Sequence, residues 1–249
     1  HPLTTERIAD IQNRTRMVSE KPAVDSLAFR LMQARTMVLA ANTGQLREQL
    51  RQRFLARTQN APVAGEPAPS ALTRAAAHYG LALLYLQEAQ AEAAEKSLNT
   101  ALLTLAPTKL SHPSLVLAQA RVEVLRGRLE AMQATLAKLE AFQADPALRD
   151  IVQEGRIEVL QSAQAHAQAL PLLRARLVQR SGEPTLAGLY KRLALSYGAL
   201  GQRTEQLRAQ AESLALEGAW PAAVQMLKEA RAVPGNDFAT SSQIDSRLR

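Results

Sequence analysis

The chain has 249 residues and a formal charge of +7; 47% of its residues are hydrophobic but only 4% are aromatic. Much of the hydrophobic share is alanine, set among Leu, Arg, Gln and Glu, a composition that favours helix over strand and predicts an all-α protein. Cysteine is absent, which excludes disulfides, a thiolate metal site and a cysteine nucleophile, and no apolar run approaches the ~18 residues of a membrane span.

In chain order, residues 4–17 read as a short helix, with Pro2 and Thr4 at its start, Glu6 in its first turn and Ile8 and Ile11 on one face. Residues 24–41 form a stronger helix, with Leu27, Leu31, Ala34 and Val38 at helical spacing. Residues 45–58 follow, with Leu46, Leu50 and Phe54 on one side and Arg47, Arg51, Arg53 and Arg57 around the others. A helix held to its neighbours by that Leu/Phe stripe is preferred to one lying on a membrane surface. The segment NAPVAGEPAPS (60–70) holds three prolines and a glycine and reads as a linker. Residues 1–59 are thus a set of N-terminal helices, and residues 71–249 a second region.

From residue 71 the pattern repeats. His78, Leu81, Ala82, Tyr85, Ala94, Leu98, Ala101 and Pro107 fall at or beside the marked positions of a tetratricopeptide unit. Ala211, Leu214, Gly218, Trp220, Ala223, Leu227, Ala230 and Pro234 form a second and better match. Between them, helix pairs are expected at 113–126 with 128–143 around Gly127, at 147–162 with 164–180, and at 184–199 with 202–217 broken at Gly201. Gly201 and Gly218 lie 17 residues apart, half a 34-residue repeat, so helix 202–217 is claimed by two units. The Gly218 unit is preferred, because its second helix fits the pattern and that of Gly201 does not. The expectation is a tetratricopeptide-like α-solenoid of about four repeats. Its last stretch, NDFATSSQIDSRLR, supplies a capping helix with Ile244 and Leu248 on one side.

The charge is uneven: residues 1–60 carry ten basic and five acidic side chains, and residues 170–210 seven and two. A basic excess can serve nucleic acid or an anionic membrane. Here no aromatic residues interleave with the arginines and no extended basic run occurs, so solvated helix faces are the expected reading. The four histidines show no His-Glu-x-x-His spacing, and the chain holds no Gly-rich phosphate loop and no Gly-x-Ser-x-Gly elbow. His78 is expected in the core, while His112 and His166 are expected to be solvated. By its own residues the chain reads as non-catalytic.

The opening HP followed by TERI, the helix DSLAFRLMQARTMVL, and the closing AESLALEGAWPAAVQMLKEA with DFATSSQIDSRLR together resemble the tetratricopeptide-bearing M48-type zinc metallopeptidases of the β-barrel assembly-enhancing kind. The resemblance covers essentially the whole chain. It implies a C-terminal repeat region whose catalytic domain, with the His-Glu-x-x-His helix, a downstream Glu and Zn2+, would lie N-terminal to His1. It further implies a periplasmic location in a Gram-negative bacterium, with outer-membrane β-barrel clients, their assembly machinery and the catalytic domain itself as partners. His1 alone matches a family position near the metal and would order or ligate a zinc loop there. Peripheral membrane association is compatible with this reading, whereas nucleic acid is not an expected partner.

The function expected is therefore a protein-interaction scaffold with a groove lined by the first helices of its repeats. From the repeat phasing, Tyr79, Leu83 and Gln87 would line the groove in the first unit, and Arg208 and Glu212 in the last. The alternative is a free-standing basic helical module gripping RNA or anionic lipid.

Overall fold

The computed structural model describes residues 25–59, 69–183 and 186–248. The expected helix 4–17, His1 and most of the Pro-rich segment lie outside them. Among the described residues the secondary structure is entirely helical: α1 (Leu27–Ala40), α2 (Gly44–Thr58), α3 (Ala71–Gln87), α4 (Ala91–Leu105), α5 (Pro113–Leu125), α6 (Leu129–Ala137), α7 (Pro146–Ser162), α8 (His166–Gln179), α9 (Leu186–Ala199), α10 (Arg203–Leu216), α11 (Trp220–Ala232) and α12 (Phe238–Leu248). The predicted helix 128–143 is shorter than expected. It ends at Ala137 and tightens into a 3-10 turn over Lys138–Phe142.

The chain divides into two compact units, one comprising the residues up to Leu84 with Asn99–Leu110, the other Tyr85–Leu98 with Ser111–Arg249. In the first, Ser26 and Thr43 cap α1 and α2 by accepting from the backbone N–H groups of Phe29 and Leu46, both at 3.2 Å. Leu27, Leu31, Ala34 and Val38 of α1 are buried, as are Leu50 and Phe54 of α2. The Phe54 ring lies on Gly80 of α3, where any Cβ would collide with it.

One recurring turn joins consecutive helices in the second unit, and from α5 onward the helices it joins pack against each other as antiparallel pairs. Ala89, Gly127, Gln164, Gly201 and Gly218 all adopt positive φ, between 56° and 79°. In every case the next residue donates its N–H back to the carbonyl five positions earlier. The five bonds are Gln90 to Tyr85, Arg128 to Glu123, Ala165 to Leu160, Gln202 to Tyr197 and Ala219 to Leu214, at 2.8–2.9 Å. This is a Schellman closure, which satisfies the orphan carbonyls of the ending helix. The next helix begins within two residues.

The first four turns are 38, 37 and 37 residues apart and the last only 17. The preference for Gly218 over Gly201 is therefore corrected, since both turns form and α10 belongs to two hairpins. It packs on α9 and on α11 alike. Ala209 joins a core that runs from α5 to α10 and includes Leu117, Leu136, Ile157, Leu173 and Leu193. Leu207 and Ala211 join a second core with Leu227, Ala230 and Ile244. Small residues on two sides of one helix admit both neighbours. A similar close approach brings α7 against α5, where a Cβ on Gly155 would overlap Leu117 Cδ1.

Substitutions at the turns and at the close helix approach test this geometry. A non-glycine residue in the left-handed region costs about 1–2 kcal/mol, so Ala89→Gly should stabilise the protein by about 1 kcal/mol and Gly201→Ala should destabilise it by a similar amount, read as opposite shifts of the urea midpoint at constant slope. Gly155→Ala should cost about 1–3 kcal/mol by overpacking.

Candidate functional site

Of the residues expected to line a groove, Tyr79 and Leu83 are 1% and 5% exposed. Both are interior side chains, placed there because α3 buries nearly all sides of its middle, from Ala75 to Leu84. Gln87 is exposed. Arg208 and Glu212 lie on α10, but their polar groups are directed to the capping helix. Arg208 donates to Glu205 at 2.9 Å and to Gln243 Oε1 at 2.7 Å. Glu212 accepts from Arg247 Nε at 2.7 Å and pairs with its Nη2 as well. Thr204 adds a bond to Asn236 Oδ1 at 2.7 Å, and Asn236 Nδ2 donates to the carbonyl of Ala230. This row of α10 side chains clasps α12 and the loop before it.

The groove in the second unit lies elsewhere on α10. It has a volume of about 500 Å³. Gln206, Gln210, Ser213 and Leu214 of α10 form its floor, Lys191, Ala194 and Leu195 of α9 one wall, and Met226 of α11 the other. Gln206 rests over Gly198, and its Oε1 accepts from Arg203 Nη1 at 3.0 Å, which leaves its NH2 group to donate. Gln210 makes no side-chain hydrogen bond among the described residues, so its amide keeps both a donor and an acceptor. Leu195 is 58% exposed, and Lys191 is held by an ion pair with Glu217. The groove thus combines unspent amides with apolar walls. Gln206, Gln210 and Leu214 stand at successive i, i+4 positions. That spacing was readable in the sequence, but it points to a groove only once α10 is known to have neighbours on two sides.

A second polar system threads α7, α8 and α9. Arg176, 4% exposed, donates to Asp150 at 2.9 Å, Gln153 at 2.8 Å and Glu154 at 3.0 Å. Arg192 bonds the other Glu154 oxygen at 2.7 Å and Gln161 Oε1 at 3.0 Å. Gln161 Nε2 donates to Ser196 Oγ at 2.8 Å, and Ser196 Oγ lies 3.3 Å from His166 Nδ1. Partial burial opposes ionisation of Asp150, but Arg176 and Arg180 outweigh it and hold the carboxyl below its ordinary value.

His166 and His112 are both 4% exposed, which corrects the expectation that they are solvated. His166 is drawn inward by Ser196, a partner 30 residues away. His112 caps α5, its Nδ1 accepting from the Ser114 N–H at 3.2 Å. His78, in the middle of α3, is half-buried rather than fully in the core. Among the described residues no group of three or more His, Cys, Asp or Glu side chains could hold a metal ion, and no helix is long and apolar enough to cross a membrane.

No protein-family model matches the chain, and no curated protein matches it.

A pH dependence follows from the histidines. Burial lowers the pKa of His112 from its ordinary 6.5. Protonation would also put a second donor opposite the Ser114 N–H, and among the described residues Nε2 has no hydrogen-bond partner. His78 is lowered as well, by burial and then by Arg74. A depressed imidazole pKa means that the unfolded chain takes up protons first, so the stability is complete above about pH 6.5 and is lost as pH falls below it. The expected slope is at most about 1.4 kcal/mol per pH unit for each histidine. His112→Asn keeps a capping acceptor and should flatten the profile of the unfolding midpoint between about pH 7.5 and 5.

Proposed function

We propose that the chain is a non-catalytic protein-interaction scaffold whose α9–α10–α11 groove takes an extended polypeptide segment. The observation that carries this reading is the pairing of the unspent amide of Gln210 and the free NH2 group of Gln206 with the apolar side chains of Leu195, Leu214 and Met226. A side-chain amide matches a peptide group in both donor and acceptor. The apolar walls would hold the side chains of one face of the segment. Unfolded strands of outer-membrane β-barrel proteins alternate apolar and polar side chains, so their two faces suit such a groove. With the sequence resemblance, this extends to a scaffold serving a zinc-dependent M48-type metalloendopeptidase of the periplasm. The zinc and the chemistry would belong to the catalytic domain, and the scaffold would present barrel clients to it or join it to the assembly machinery.

A photoreactive residue at Gln210 should crosslink to an unfolded β-barrel polypeptide. Leu195→Asp combined with Gln210→Ala should weaken its binding about tenfold, the equivalent of losing an apolar contact and a hydrogen bond. Affinity should change little between about 50 and 200 mM salt. A fall of about 10³-fold over that range, with no effect of the groove substitutions, would replace this reading by the basic module for RNA or anionic membrane.

A further inference from the structure

A second concavity lies on the hairpin of α7 and α8. Its volume is about 150 Å³, and it is lined by Val152, Ile157, Leu172 and Ala175 with Gln143, Gln153, Gln179, Arg156 and Arg176. The apolar part is well built, since Val152 and Ile157 are core residues. Its polar part is made almost wholly of donors, for a reason that can be traced. Arg176 takes the Oε1 atoms of Gln153 and Gln179, at 2.8 and 3.4 Å. Each glutamine is left with its NH2 group to give. Arg156 spends one N–H on Glu140 at 3.0 Å, and a guanidinium has five. Asp150 and Glu154 engage Arg176, yet neither lines the concavity, and among the described residues no carboxylate does. The lining therefore combines cationic, donor-rich groups with apolar side chains.

We propose that this concavity is a binding site for a compact apolar carboxylate, with Arg156 as the principal partner of the carboxylate and Val152, Ile157 and Leu172 around the apolar body. A volume near 150 Å³ accepts a body about the size of benzene. Arg156 suits the charged end, because a guanidinium pairs with a carboxylate through two parallel N–H groups. Its bond to Glu140 is exposed and contributes little, so a ligand can displace it. Such a carboxylate has two sources, a free small acid or the C-terminal residue of a polypeptide, and both present the same chemistry. This site is separate from the α9–α11 groove and does not depend on it.

The test is an NMR titration of the full chain with sodium phenylacetate. Saturable shifts are expected at Val152, Ile157, Leu172 and Ala175, with a Kd of about 0.1–1 mM for a ligand of this size. Arg156→Gln should weaken binding about tenfold or more. Ala175→Leu, at an exposed helix position, should abolish it by filling the mouth while leaving the unfolding transition in place. 2-Phenylethanol, which lacks the charge, should bind at least about tenfold more weakly. A short peptide ending in phenylalanine with a free carboxylate is then compared with its amidated form. Binding of the free form alone makes the natural ligand a protein C-terminus, and exclusion of both while phenylacetate binds makes it a small acid. Absence of saturable shifts up to about 20 mM, a range far above the expected Kd, would overturn the proposal. So would an affinity unchanged in both Arg156→Gln and Ala175→Leu.

Discussion

The fold of the second unit rests on one backbone event repeated five times, a single residue in the left-handed region at the end of a helix. That residue turns two N–H groups back onto the last carbonyls. The next helix therefore starts at once, antiparallel and adjacent. With no length to spare in the connection, the partner helices must meet at a distance fixed by their contact residues, and these are small where the approach is closest. Ala120, Ala169, Ala194, Ala209 and Gly155 do this work. Two of the five turns are made by Ala89 and Gln164, which accept the strain that glycine avoids. The closing N–H to carbonyl bonds of each turn hold these two residues in place.

Legibility followed the chemistry of these turns. Gly127, Gly201 and Gly218 announce themselves, and the helix breaks expected there are found. The all-α class, the helices α1 and α2 and the capping helix were also readable, because composition and helical spacing are local properties. The double role of α10 was not readable. A repeat template assigns each helix to one hairpin, whereas here Leu207 and Ala211 face one core while Ala209 faces another. His112, His166, Tyr79 and Leu83 escaped for a related reason. Burial of a polar or marked residue depends on what arrives from elsewhere in the chain, as Ser196 arrives at His166.

The positive charge has a similar history. A +7 chain with 30 basic residues invites an electrostatic function, but many of its arginines are engaged internally. Arg126 and Arg128 both hold Glu95, and Arg128 also holds Glu123, which ties neighbouring turns together. Arg176 and Arg192 share Glu154. Of these arginines only Arg176 is buried, and removing its acidic partners would leave a costly charge behind. The consequence of its bonding here is orientation. By taking glutamine oxygens, Arg176 decides which face of each amide is left for a ligand.

The 17-residue interval between Gly201 and Gly218 links the fold to the proposed function. A full 37-residue interval would have placed a complete hairpin after α10. The short interval instead lets α9 and α11 both pack on α10, so that one strip of α10 becomes a floor between two walls. The opposite demand, a solvated end for the array, is met by α12, clasped through Thr204, Arg208 and Glu212. A single helix thus divides its circumference among α9, α11, α12 and the groove. Arg208 and Glu212, expected to line a groove, hold the cap, and the strip left uncovered between the α9 and α11 contacts carries Gln206, Gln210 and Leu214. Because α10 has no spare face, any substitution that shifts its rotation would disturb the groove and the cap together. That coupling makes the register of this helix, rather than any one side chain, the feature on which binding in the groove depends.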